Sequence, residues 1–166
     1  DAFLARAPAP GVAQTTDEGT HLGPLSSARQ RQTSLDYLDL GLEEGARLVT
    51  GGEVPDVPGG SEGFYLRPAV LAEVQKDMRI AREEIFGPVL SVLAWTDSAD
   101  MLAQVNSVQY GLTAAIVTNQ PDLAMQTAEQ VDSGYVWTNS TGPSLCRHTG
   151  RGDAAGASGA RRAGSG

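Results

Sequence analysis

Cross-linking residues are nearly absent from this sequence. It has one cysteine, Cys146, which excludes an internal disulfide and any cysteine-rich metal site. That usage fits a reducing, cytoplasmic compartment. Lysine is just as scarce. Lys76 stands alone beside the seven arginines of residues 1–143, a bias expected of GC-rich coding DNA. No run of about 18 apolar residues occurs, so no membrane-spanning helix is expected. No basic segment leads into an apolar one at the start, so no export signal is read. The chain opens on Asp1 instead of Met, as a processed product or a piece of a longer protein would. Positive charge is short as well. The net charge of −8 excludes nucleic acid and anionic membrane as partners, because both select a basic surface.

What remains is globular material. The 166 residues are 40% hydrophobic and 19% charged, enough for one core. Charge is uneven along the chain. Residues 1–141 hold 8 basic and 19 acidic side chains (−11), whereas 142–166 hold four Arg and one Asp (+3). Three regions follow: a loose arm over 1–20, a folded domain over 21–143, and a low-complexity tail over 144–166. The tail has no aromatic or periodicity beyond Cys146, and such composition cannot offset its ordering entropy.

Periodicity predicts an α/β fold with a parallel sheet and flanking helices. Ala28, Arg31, Leu35, Leu38 and Leu42 mark one helical face, with Ser26 or Ser27 as N-cap and Gly45 as the stop. "ARLVTGGE" reads as a short strand ending in a Gly-Gly turn. "FYLRPAVLAEV" reads as an edge strand, because Pro68 cannot donate to a ladder. "PVLSVLAW", "TAAIVTN" and "GYVWTN" read as strands. Between them lie two helices, one with Met101, Leu102, Val105 and Val108 inward, the other opening on Pro121. Strands alternating with helices on short links predict parallel pairing, and an unbroken apolar strand predicts cover on both faces.

The densest motif is "EEIFGPVLSV", with Glu83 and Glu84 immediately before Phe86-Gly87-Pro88. Read on spacing alone, it is a solvated acidic pair at the end of a short helix. A paired-acid glycosidase is disfavoured, because neighbours in sequence point apart and cannot face each other across a substrate. Together with "GTHLGPLSSARQ", "EGARLVTGGE", "GFYLRPAVLAEV", "YGLTAAIVTN" and "GYVWTNSTGP", the motif resembles the NAD(P)-dependent aldehyde dehydrogenase family. The six segments stand in that family's order and cover roughly residues 17–143.

The resemblance implies part of the catalytic domain of an enzyme that oxidises an aldehyde to a carboxylic acid through a cysteine thioester, with NAD or NADP. It implies that Glu84 accepts hydrogen bonds from the ribose hydroxyls on the nicotinamide side, since a carboxylate can accept from both members of a cis-diol. It implies that Phe86 packs near that ribose and the nicotinamide ring. Glu83 has no counterpart role and reads as a cap or surface acid. The family's nucleophile, general base and nucleotide-binding domain precede the "GPLSS" segment, so no catalytic residue is assigned in this chain and the expectation is a fragment inactive by itself. The alternatives are one chain of a split dehydrogenase, or a non-catalytic module that binds a full-length one.

Beyond Pro143 the text departs from the family's glycine- and lysine-bearing ending, and a frameshift over 144–166 is the expectation. The family is usually homo-oligomeric, and its oligomerising strand would then be lost. Cys146 with His148 reads as an inert thiol, because activation requires a held geometry. The Asn139-Ser140-Thr141 sequon, the Arg151-Gly152-Asp153 triplet and the solitary His21 read as chance or surface features.

Overall fold

A computed structural model describes residues 11–58, 60 and 62–140. The chain divides after Ala94 into two compact units.

The first unit is built on α1 (Ala28–Glu43), β1 (Arg47–Thr50), β2 (Ala69–Ala72), α2 (Arg79–Arg82) and β3 (Val89–Ser91). Ser27 caps α1 as expected, its side chain accepting from the Gln30 N–H. Gly45 ends the helix at φ 103°, a conformation that glycine adopts without a Cβ penalty. The inward face differs from the predicted one. Ser34, Leu38 and Gly41 are buried, whereas Leu42 is exposed. The reason is close approach: a Cβ on Gly41 would stand 2.8 Å from Ile80 Cδ1 and 3.1 Å from Leu71 Cδ1. Small residues therefore face the sheet, and a pattern search for large apolar ones finds the flank of that face.

The sheet order is β1-β2-β3, with β1 antiparallel and β3 parallel to β2. The strand after Pro68 is thus central, not at an edge. Pro68 lies one residue outside the strand, so its missing N–H removes no ladder bond, and Ala69 donates to the Pro88 carbonyl at 2.8 Å. Leu38, Ala46, Ala69, Leu71, Val74, Met78 and Ile80 form the core between helix and sheet. The Gly51-Gly52 turn has φ of 73° and 87°, as the Gly-Gly pair predicts.

The second unit contains α3 (Ser98–Val105), β4 (Thr113–Ile116), α4 (Pro121–Gln130) and β5 (Tyr135–Thr138). Asp97 caps α3 by accepting from the Ala99 N–H at 2.8 Å, and Pro121 stands in the first turn of α4. β4 and β5 pair in parallel across the α4 crossover, the β-α-β arrangement that the alternation predicts. Tyr135 and Trp137, two apart on one strand face, stack at 6.3 Å between centroids. Apolar surface is left open at and beside the strands: Val117 is 82% exposed, and Leu90, Leu112 and Tyr135 are exposed too. The anticipated tail over 144–166 lies outside the described residues, as do residues 1–10 of the anticipated arm. From Gly11 the chain folds back on itself, His21 and Leu22 both donating to the Gly11 carbonyl.

Candidate functional site

The two acids of the opening motif are sent to different places. Glu83 is the C-cap residue of α2, the single turn that runs from Arg79 to Arg82. Its carboxylate takes both Arg79 Nε at 2.8 Å and Arg79 Nη2 at 2.9 Å, the planar two-point pairing that a guanidinium favours. Tyr37 Oη, from α1, donates to the same carboxylate at 2.6 Å. The Arg79 bonds foremost, then the Tyr37 bond, hold the Glu83 carboxyl at about 2, below its usual 4.5. The same contact with Glu83 raises the Tyr37 phenol and the Arg79 guanidinium. Glu83 therefore clasps α2 to α1. Its role is structural, in keeping with the cap that the sequence suggested.

Glu84 takes no part in that clasp. It is exposed, and among the described residues none lies within ion-pair distance of its carboxylate. Next along the chain, Ile85 is buried and Phe86 is 75% exposed. Burying Ile85 pins the loop, and the alternation turns Phe86 outward. Phe86 also has φ 55°, a left-handed conformation that costs an aromatic residue roughly 1–2 kcal/mol. Such strain persists only where the surroundings over-determine it, and it gathers at ligand sites.

The surroundings come from the N-terminal turn of α1. Gln30 Nε2 donates to the Phe86 carbonyl. Gly87 is pressed against Ser34, and a Cβ there would fall 2.1 Å from Ser34 Oγ. Val89 then donates to the Gly87 carbonyl at 2.8 Å across Pro88, closing a tight turn into β3. The result is a cleft of about 510 Å³ whose apolar walls include Leu22, Pro24, Leu25, Leu66, Phe86 and Pro88. Leu25 is tied in by its N–H to the Phe64 carbonyl at 2.9 Å. Two motif segments far apart in sequence, "HLGPLSS" and "EEIFGP", thus meet around one opening.

Other candidate residues stand apart from it. His21 Nδ1 accepts from the Gly11 N–H at 3.3 Å, a loop contact. Asn139 adopts φ 52° and accepts from the Thr118 N–H at 2.9 Å, so its amide latches the ends of β4 and β5. Cys146, His148 and the Arg151–Asp153 triplet lie outside the described residues. Among the described residues no cluster of His, Cys, Asp and Glu could hold a metal. None of their helices is long and apolar enough to cross a membrane. Sequence reasoning missed Gln30. Its signal was the Ser27-x-x-Gln30 spacing of a capping box, in which the third helical residue carries a side chain able to reach a backbone group.

Comparison with known proteins gives the family of the chain. The model of the aldehyde dehydrogenase family matches residues 1–164, and the chain belongs to that family. The match is wider than the stretch carrying the six motifs. A betaine aldehyde dehydrogenase of Sinorhizobium fredii is 43% identical over 143 residues, covering 84% of this chain and 29% of that protein. The aldehyde dehydrogenase tropH of Talaromyces stipitatus is 44% identical over 142 residues, covering 84% and 26%. Among solved structures, an aldehyde dehydrogenase of Bacillus cereus in complex with NAD+ superposes with a TM-score of 0.78 at 32% identity, covering 86% of this chain and 28% of that one. One from Mycobacterium tuberculosis complexed with NAD+ gives 0.77 at 34% identity, with the same coverage. The chain spans between a quarter and a third of the length of these relatives.

Proposed function

We propose that this chain supplies the nicotinamide-ribose end of an NAD(P) site in an enzyme that oxidises an aldehyde to its carboxylic acid. The observation that carries the reading is the split fate of the Glu83-Glu84 pair. One acid is consumed by Arg79 and Tyr37, while its neighbour is left exposed beside a strained, outward-facing phenyl ring.

These residues fit the group. A free carboxylate has acceptor capacity for both ribose hydroxyls, and Glu84 has no described cation competing for it. Phe86 offers an apolar face for ribose and nicotinamide, and the adjoining cleft offers apolar walls. Bound NAD(P) would supply the hydride acceptor for aldehyde oxidation. The chain's own contribution is to bind and orient that half of the cofactor, with the thioester chemistry assigned to none of its residues. The relatives matched over this segment are themselves dehydrogenases, which favours this reading over a separate module that binds one.

The test is a titration of the 166-residue chain with nicotinamide mononucleotide, followed by amide chemical shifts. Shifts should gather at residues 84–88 and 22–25. Glu84→Gln should weaken binding about tenfold, since hydrogen bonds to a charged acceptor are worth about 1.5–3 kcal/mol. Shifts that avoid the 84–88 loop, or an affinity indifferent to Glu84→Gln, would overturn the reading.

A further inference from the structure

Phe86 does not hold its left-handed backbone unaided, and the group that grips it is a side chain outside its own loop. We infer that Gln30 is the positioning residue of this site: by donating to the Phe86 carbonyl it keeps that backbone left-handed and so aims the ring and the adjacent Glu84. The part of the inference that concerns ligand binding rests on the reading given under Proposed function.

Three observations carry it. First, the orientation of the Gln30 amide is determined. The Phe86 carbonyl can only accept, so the group facing it must be the NH2, and Gln30 Oε1 is then left to accept from Ser26 Oγ at 2.5 Å. Second, the stem of Gln30 is fixed at both ends of its own peptide. Its N–H donates to Ser27 Oγ at 3.2 Å, and its carbonyl accepts from Ser34 Oγ at 3.0 Å. A donor held this firmly can impose a conformation on a loop instead of following it.

Third, Gln30 stands where a capping-box side chain would turn back to the N–H of its own cap residue. Its amide is directed outward, to a residue 56 positions away. Ser34 belongs to the same device. It sits one turn beyond Gln30 on the same face and backs directly onto Gly87, so the first two turns of α1 grip Phe86 at its carbonyl and Gly87 at its Cα.

Gln30→Glu separates positioning from simple support. A carboxylate cannot donate to the Phe86 carbonyl and repels it, yet an acid at this helix position serves the capping box and the helix dipole well. Phe86 should therefore leave the left-handed region while α1 stays intact. The measurement is the Phe86 three-bond HN–Hα coupling with its Cα and Cβ shifts in the 166-residue chain, for wild type, Gln30→Glu and Gln30→Ala.

Both variants should move Phe86 to extended values with the melting temperature of Gln30→Glu within about 2 °C of wild type, less than a change of 1 kcal/mol produces. Both should weaken nicotinamide mononucleotide about fivefold, as loss of one ordinary hydrogen bond would. Phe86 remaining left-handed in both variants overturns the inference. So does movement of Phe86 only in step with general melting of α1. If Phe86 moves as expected but wild type binds no mononucleotide, Gln30 still positions the loop, and the cofactor reading is the one that falls.

Discussion

Gly87 and Ser34 are in such close contact that a single added carbon would collide: a Cβ on Gly87 would lie 2.1 Å from Ser34 Oγ and 3.2 Å from Ser34 Cβ. Ser34 is fully buried in α1, so it cannot withdraw. Gly87→Ala should therefore cost about 2 kcal/mol, within the range for overpacking a filled site. Ser34→Ala should recover most of that loss in the double variant, because only the tolerable 3.2 Å approach remains. A double-mutant cycle by urea unfolding measures the coupling. Simple additivity of the two changes would show that the collision is relieved elsewhere.

Acid should loosen the contact between α1 and α2. Glu83 titrates at about 2 in the folded chain, below the 4.5 of a free carboxyl, because Arg79 and Tyr37 bond its charged form. A depressed pKa contributes stability that is present above 4.5 and is lost as pH falls through that value toward 2. Glu83→Gln removes this contribution. Plotted against pH, the stabilities of wild type and variant should differ above pH 4.5 and converge below it. Parallel curves through that window would mean that the clasp contributes nothing measurable.

Two positive-φ glycines that follow α1 should respond very differently to alanine. At Gly51 (φ 73°) a Cβ would lie 1.7 Å from the Pro68 carbonyl oxygen, which is backbone and cannot move aside. At Gly45 (φ 103°) the nearest atom is Met78 Cε at 3.9 Å. Gly45→Ala bears only the left-handed penalty of about 1 kcal/mol. Gly51→Ala bears that and a backbone clash, roughly 3 kcal/mol in all. Equal losses in chemical denaturation would contradict the packing of β1 against the Pro68 turn.

Features set by local chemistry are legible in the sequence itself. The Ser27 cap, the Gly45 stop, the Gly51-Gly52 turn, Pro121 opening α4 and the parallel β4-β5 pair all follow from single residues or from the alternation. Features set by approach between distant segments are not. Ser34 and Gly41 are polar or small, and no hydropathy pattern marks them as the buried face of α1. Pro68 misleads because one residue separates a proline inside a ladder from one just before it. Glu83 and Glu84 carry the same charge in the same motif. Only Arg79 and Tyr37, one on each flanking helix, distinguish the clasped acid from the free one.

The strands themselves should differ in how firmly they are held. β2 has neighbours on both sides, and Leu71 at its centre is completely buried. β4 and β5 form a two-stranded sheet among the described residues, with Val117 82% and Leu112 62% exposed beside it. A sheet of two strands with exposed apolar flanks has little burial to resist local opening, and its unpaired edges invite association. Hydrogen exchange should therefore be slower at the β2 amides than at those of β4 and β5 by more than about tenfold, a difference of about 1.4 kcal/mol in opening free energy. Val117→Lys should reduce dye binding to exposed apolar surface and raise solubility without slowing exchange in β2, because the substitution touches only the flank. If β4 and β5 exchange as slowly as β2, something covers that apolar flank in solution, and the oligomeric state of the chain under the same conditions would show whether a second copy does so.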